Sequence, residues 1–260
     1  MTRFEEVLGL GDDALIAAQR LAQWCARAPE LEEDIALTNI ALDQLGAARA
    51  LLSYAGELEG AGRDEDALAY LRDDREFRNV LLVELPDRDF AVAMGKLLFL
   101  AAYQRDRYER LAANGDERLG GIAGKAVKES AYHLDHATLW TVRLGDGTEE
   151  SRHRMQSAVD ELWPYTYELF DALSGADATV STTAAQGRAQ AEATDLADGT
   201  ELRDGWLATV EPVLAEATLT RPADDGWKPR GGREGRHTEH LSYLLAEMQV
   251  LHRAHPGARW

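Results

Sequence analysis

A single cysteine, Cys25, is the only thiol in 260 residues. One thiol cannot form an intrachain disulfide, and it cannot build a cysteine-ligated zinc site. Cations are also scarce: 28 Lys and Arg stand against 46 Asp and Glu, a formal net charge of -18. Such a surface repels phosphate backbones and anionic lipid, which argues against general nucleic-acid or membrane-surface binding. No uninterrupted apolar run reaches the roughly 18 residues that a membrane span requires. The opening MTRFEEVLGLGDD has no apolar signal core and carries acids where a signal or transit peptide has none. The expected location is therefore the cytoplasm. Alternating strand patterns are almost absent, and only VLLVEL at 80–85 reads as a possible strand, one without a partner.

What remains is helical. Hydrophobic residues make up 45% of the chain, enough for a core of its own. Leu15, Ala18, Ala22 and Cys25 fall on one stripe, introduced by Asp12 and Asp13 and stopped by Pro29. Ile35, Leu42, Leu45 and Leu52 mark a longer helix over 31–58. The stretch RDEDALAYLRDDREFRN reads as a short helix and a charged connection. Pro86 breaks the chain, and Asp87 to Asp89 offer caps for a helix near 90–113. Further helices are expected at 117–144, 149–173, 201–218 and 238–254. The segment 174–200 is rich in Ala, Thr, Gly and Asp and reads as a mobile insertion. The expected fold is all-α: one domain over 1–260, an antiparallel bundle of long helices with extra C-terminal helices. The alternative is two small helical domains divided near 175.

Long bundles often house a carboxylate-bridged di-iron site. That chemistry takes a Glu from each of two helices and a Glu-x-x-His from each of the other two. The set is not filled here. Three residues after Asp43 stands Gly46, and three after Glu129 stands Tyr132. The stretch Ala91 to Arg105 has no acid at all. Glu150 and His153 have the spacing but sit at a helix start, where Glu favours the helix dipole. Glu234 and His237 lie in a loop too rich in glycine to hold two ligands stiffly. Asp43, Glu129, His133 and His136 therefore read as degenerate positions: a residual metal cluster, or a hydrogen-bonded network buried in the bundle. No catalytic residue is assigned. His237 and His240 open the last helix, and Cys25 reads as inert packing on its stripe.

Two basic clusters stand out in so acidic a chain. Arg72, Arg75 and Arg78 recur every three residues beside Phe77 and Asn79. Lys228, Arg230, Arg233 and Arg236 are interleaved with Gly231, Gly232 and Gly235, next to Trp227. Arginine forks and exposed glycine amides suit phosphate groups, and salt bridges to acids are the alternative.

LGDDALIAAQRLAQWCARAPELEEDIALTNIALDQLGAARALLSYAGEL resembles the opening of the C subunits of bacterial phenylacetyl-CoA epoxidases (ring 1,2-epoxidases). The likeness continues in DEDALAYLRDDREFRNVLLVELP, KAVKESAYHLDHATLWTVRLGDGT, ELWPYTYELF and GGREGRHTEHLSYLLAEMQVLHRAHPGARW. It leaves out only 176–200. The resemblance implies a ferritin-like fold and a division of labour. A catalytic A subunit holds the di-iron centre and binds phenylacetyl-CoA. The C subunit is a paralogue without the iron ligands and pairs with A as a structural partner. A small B subunit joins them, and a separate reductase with flavin and an iron–sulfur cluster delivers electrons from NADPH. No cofactor belongs to the C chain. Arg75, Glu76, Phe77, Arg78 and Asn79 match a family motif and are the expected contact with phenylacetyl-CoA at the subunit edge. Two other readings stay open: a metal-dependent oxidase using Asp43, Glu129, His133 and His136, and an acyl-CoA-binding helical module.

Overall fold

The computed structural model describes residues 2–113, 115–171 and 184–258, and among them there is no strand. The long helices are α1 (Arg3–Ala22), α2 (Leu31–Glu59), α5 (Phe90–Ala112), α6 (Glu117–Gly145) and α8 (Ala184–Glu216). Shorter ones are α3 (Glu65–Tyr70), α4 (Leu81–Glu84), α7 (Glu149–Leu162) and α9 (Glu239–Ala254). Side-chain caps account for most starts. Thr2 and Glu5 form a reciprocal capping box on α1, Asp64 caps α3, Asp89 caps α5, Asp116 caps α6 and Thr148 caps α7. The end of α2 is a left-handed Gly60.

Helices α1 and α2 form one antiparallel hairpin and α5 and α6 another, and they meet along α2 and α6. This is the ferritin-like four-helix arrangement. α5 is the most enclosed member, with α7 and α8 packed on it. Phe99, Trp163, Phe170 and Trp206 cluster there, and the Trp206 indole donates to the Phe99 carbonyl at 2.9 Å. α9 packs on α3 and on the 74–76 turn.

Several expectations need correction. α1 starts nine residues earlier than the pattern suggests, because the Thr2 capping box nucleates it, and Asp12 and Asp13 lie in its buried interior. Gly9 and Gly11 disguise that first half. A Cβ on Gly11 would meet Leu52 at 2.9 Å, and one on Gly9 would meet Arg233 at 2.8 Å, so their absence lets α1 approach both. The helix ends at Ala22, which leaves Cys25 exposed in a turn rather than packed. The run 80–85 is not a strand; four of its residues form α4. The helix that follows Gly147 stops at Leu162 and continues as a 3-10 segment, Trp163–Phe170, around Pro164. Residues 184–200 form the first half of α8, where the sequence pattern placed an insertion, while 174–183 lie outside the described residues. Of the four residues that mark α2 in the sequence, only Leu52 is buried; Ile35, Leu42 and Leu45 face outward.

Candidate functional site

Between α2 and α5 two buried amides face each other. Gln44 on α2 and Gln104 on α5 are both buried. Gln44 Nε2 donates to Gln104 Oε1 at 2.7 Å, and Gln104 Nε2 donates back to Gln44 Oε1 at 3.1 Å. The ring of two hydrogen bonds leaves both groups neutral and satisfied. Ser130 and His133 occupy the buried i, i+3 positions of α6. Gln44 sits on the core-facing row of α2 with Leu37, Ile40, Ala41, Ala48 and Leu51, and Gln104 closes the apolar run of α5. That periodicity is the signal that marks both; a carboxylate pattern leaves them out.

The four degenerate positions do not all meet; only Asp43 and His133 pair with each other. His133 Nε2 lies 3.2 Å from Asp43 Oδ2, and His136 Nε2 lies 3.1 Å from Glu33 Oε2. Glu129 turns to Lys125, 3.0 Å away, on the outer side of α6. Each imidazole therefore has its own carboxylate on α2, and the two pairs stitch α2 to α6. Burial pushes both imidazoles below the ordinary histidine value, against the pull of those carboxylates. Among the described residues, no three of His, Cys, Asp and Glu are grouped to hold a metal ion.

The basic motif 72–79 is divided by burial. Arg72 is buried and forks onto both oxygens of Asp12, also donates to the carbonyls of Leu68 and Glu76, and stacks over the Phe77 ring at 4.2 Å. Phe77 and Asn79 are fully buried. Asn79 donates to Glu84 at 2.9 Å. Neither can present its side chain to a surface ligand in this arrangement, contrary to their expected place in a contact strip. The Arg78 guanidinium donates to the carbonyls of Arg75 and Phe77 at 2.8 and 2.7 Å. Glu76 is exposed and accepts from the Asp73 amide, and the Arg75 side chain projects outward. Of the five residues 75–79, Arg75 and Glu76 are exposed and Arg78 is half-buried, beside the exposed Asp73.

The glycine-rich loop has its donors already engaged. Glu168 Oε1 accepts from the amides of Gly231 and Gly232 at 2.8 and 2.7 Å, and its Oε2 accepts from the Leu81 amide at 2.7 Å. Arg233 forks onto Asp13 and also donates to the carbonyls of Gly9 and Arg78. Arg230 pairs with Asp171 at 2.9 Å, and Arg236 pairs with Glu234. The loop is a clamp between the two ends of the chain, not an open phosphate cradle. Beside it, His237 has Nδ1 2.8 Å from Glu84 and Nε2 3.1 Å from the Phe77 carbonyl. The Phe77 carbonyl only accepts, so Nε2 donates to it. Burial alone would lower this imidazole; Glu84 and the Phe77 carbonyl outweigh it and hold the group above its ordinary value.

The chain is similar in sequence to known proteins over nearly its whole length. A family model described as "Phenylacetic acid catabolic protein" matches residues 1–260. The chain is 46% identical over 253 residues to the C subunit of the 1,2-phenylacetyl-CoA epoxidase of Escherichia coli (strain K12), a match that covers 97% of each chain.

The amide pair and His237 each lead to a measurable outcome. Gln44→Leu alone strands the Gln104 amide in the core and lowers stability by about 1–3 kcal/mol, whereas the double change with Gln104→Leu recovers much of that loss. Chemical denaturation of the three proteins checks this, and equal losses in single and double variants would contradict it. His237 is held above the ordinary value of 6.5, so the folded state binds its proton more tightly than the unfolded chain does. Its contribution is complete below that value and is lost as pH rises through the folded pKa. Melting temperature measured from pH 6 upward should fall more steeply for the wild type than for His237→Gln.

Proposed function

The chain belongs to the phenylacetic acid catabolic protein family, and from that premise we propose that it is the non-catalytic partner subunit of a ring epoxidase. It acts in phenylacetate catabolism, in the cytoplasm. In this reading a catalytic A subunit of related fold carries the di-iron centre and takes phenylacetyl-CoA and O2. A small B subunit joins the two, and a reductase with flavin and an iron–sulfur cluster supplies electrons. This chain holds no cofactor and maintains the integrity of A.

The observation that carries the reading is the Gln44–Gln104 pair. A carboxylate-bridged di-iron site draws its ligands and its negative charge from Glu on all four helices. Two neutral amides bonded to each other supply neither, and they occupy the space between α2 and α5. The rival oxidase reading needs Asp43, Glu129, His133 and His136 on one ion, but Glu129 pairs with Lys125 and His136 with Glu33. The acyl-CoA module reading loses its glycine-rich loop to Glu168.

A narrower ligand role is retained within the complex. Arg75 and Arg78, with Glu76 between them, form the exposed edge at which the phosphates of phenylacetyl-CoA meet this subunit. Phe77 and Asn79 support that edge from behind, through the core and Glu84.

Co-expression with and without the A subunit tests the main reading. The two chains should co-elute on size exclusion, and A prepared alone should lose solubility or epoxidation that returns on adding this chain. Full activity of A without it would overturn the proposal. The double change Arg75→Ala with Arg78→Ala tests the edge. It should raise KM for phenylacetyl-CoA in a complex that assembles and melts normally; an unchanged KM in an intact complex removes the edge from the substrate path.

A further inference from the structure

Polar anchors tie α9 to the rest of the chain more than a packed face does. It lies chiefly on α3 and on the 74–76 turn, neither of them a member of the four-helix arrangement. The apolar residues it buries are Leu241, Leu244 and Leu245. Tyr243, Val250 and Leu251 point away and are exposed. An open cleft of about 610 Å³ lies between α9 and the turn, with Asp74 and Glu76 on one side and Ala246 and Gln249 on the other.

The anchors fall into two groups. At the far end, α9 caps α3 with side chains. The six-residue α3 leaves its last carbonyls without partners inside the helix. Gln249 Nε2 donates to the carbonyls of Ala69 and Arg72 at 3.1 and 3.0 Å. The Arg253 guanidinium donates to those of Tyr70, Leu71 and Arg72 at 3.1, 3.3 and 2.9 Å. Ser242 Oγ donates to Asp74 at 2.7 Å. The order of 69–74 and the seating of α9 therefore depend on each other. At the near end, Glu84 accepts from the Thr238 amide at 2.6 Å and lies 2.8 Å from His237 Nδ1, while His237 Nε2 donates to the Phe77 carbonyl. Just before this point Gly235 has a left-handed φ of 76°, and a Cβ there would collide with the Arg75 carbonyl.

We propose that α9 is a detachable strap: pivoting near Gly235, it lifts away as one unit while the four-helix arrangement stays folded, it takes the order of 69–77 with it, and the His237–Glu84 contact is its pH-sensitive latch. Segments with few buried apolar contacts open at free energies below that of global unfolding. Burial works against the His237 imidazolium, but Glu84 and the Phe77 carbonyl outweigh it and hold the group above its ordinary value of 6.5. The closed strap thus binds this proton more tightly than the open one. The latch is complete below 6.5 and is lost as pH rises through the folded pKa. The other carboxylates that face His237 are Asp12 of α1 and Asp74 of the turn. Asp74 is held below its usual value by Ser242, so it titrates far below neutral pH. Arg20 on the Glu84 carbonyl, Arg72 on Asp12 and Arg78 beside Gly235 stay charged throughout. Asp13, pushed up to about 6, pairs with Arg233 in the loop that leads to the strap. A change at His237 leaves that pair in place.

Hydrogen exchange of the full-length chain, read by mass spectrometry between about pH 6.5 and 8 and corrected for the intrinsic rate, tests the strap. Peptides from α9 and from 69–77 should share one opening constant, larger than that of α5 and α6. In the wild type this constant should rise with pH, by at most about tenfold per unit for a single proton. In His237→Gln most of that rise should vanish. Gln249→Leu cuts the far anchor and leaves the latch. It should raise the opening constant of both segments by about tenfold or more and keep the wild-type pH dependence. Exchange of α9 only together with α5 and α6 would overturn the proposal. So would an α9 that opens while 69–77 stays protected, or equal pH dependence in the wild type and His237→Gln.

Discussion

Two adjacent carboxylates in the interior of the first helix constrain the rest of the fold. Asp12 and Asp13 are almost wholly buried, and an unpaired buried charge costs far more than a domain can spare. Each is met by a guanidinium from far along the chain, Asp12 by Arg72 and Asp13 by Arg233. Burial still pushes Asp13 up to about 6, against the pull of Arg233. The same carboxylates accept from the amides of Arg78 and Val80, which fixes the path of the 71–80 segment. Glu168 fixes the loop that carries Arg233, and Glu84 with His237 fixes the start of α9. The first helix thus orders both the middle and the end of the chain. Its hydrogen-bonded ion pairs set which segment goes where more than they add net stability, since well-packed apolar residues can match such pairs in energy.

This hub explains which features are legible in the sequence. The long helices α2, α5 and α6 are, because their ends carry Asp89, Asp116, Pro86 and Gly60 and their bodies keep helical periodicity. The start of α1 is not: two acids before an apolar run look like a cap until their partners, 60 and 220 residues away, are known. The basic clusters are visible, but their engagement is not, because pairing with Asp12, Asp13 and Glu168 is a long-range property. That α2, α5 and α6 carry no Glu-x-x-His is legible in the sequence. Periodicity puts Gln44 and Gln104 on core-facing rows, but their bond to each other is a long-range property. Outward-facing leucines on α2 look like core because periodicity marks a face without saying what covers it.

The proposed function rests on what the interior of the bundle holds and on what its outer face presents. Inside, the Gln44 and Gln104 amides bond to each other between α2 and α5. Outside, α2 and α6 present exposed apolar side chains, Leu31, Ile35, Leu42 and Leu45 on the first and Tyr132 and Leu139 on the second.

The most direct measurement is iron stoichiometry in the assembled complex. Complex prepared in 57Fe medium and studied by Mössbauer spectroscopy, with metal counted against each subunit, should show one coupled di-iron centre per pair of A and C chains and no iron in this chain alone. A second di-iron centre per pair, or a coupled site in the isolated chain, would contradict the account.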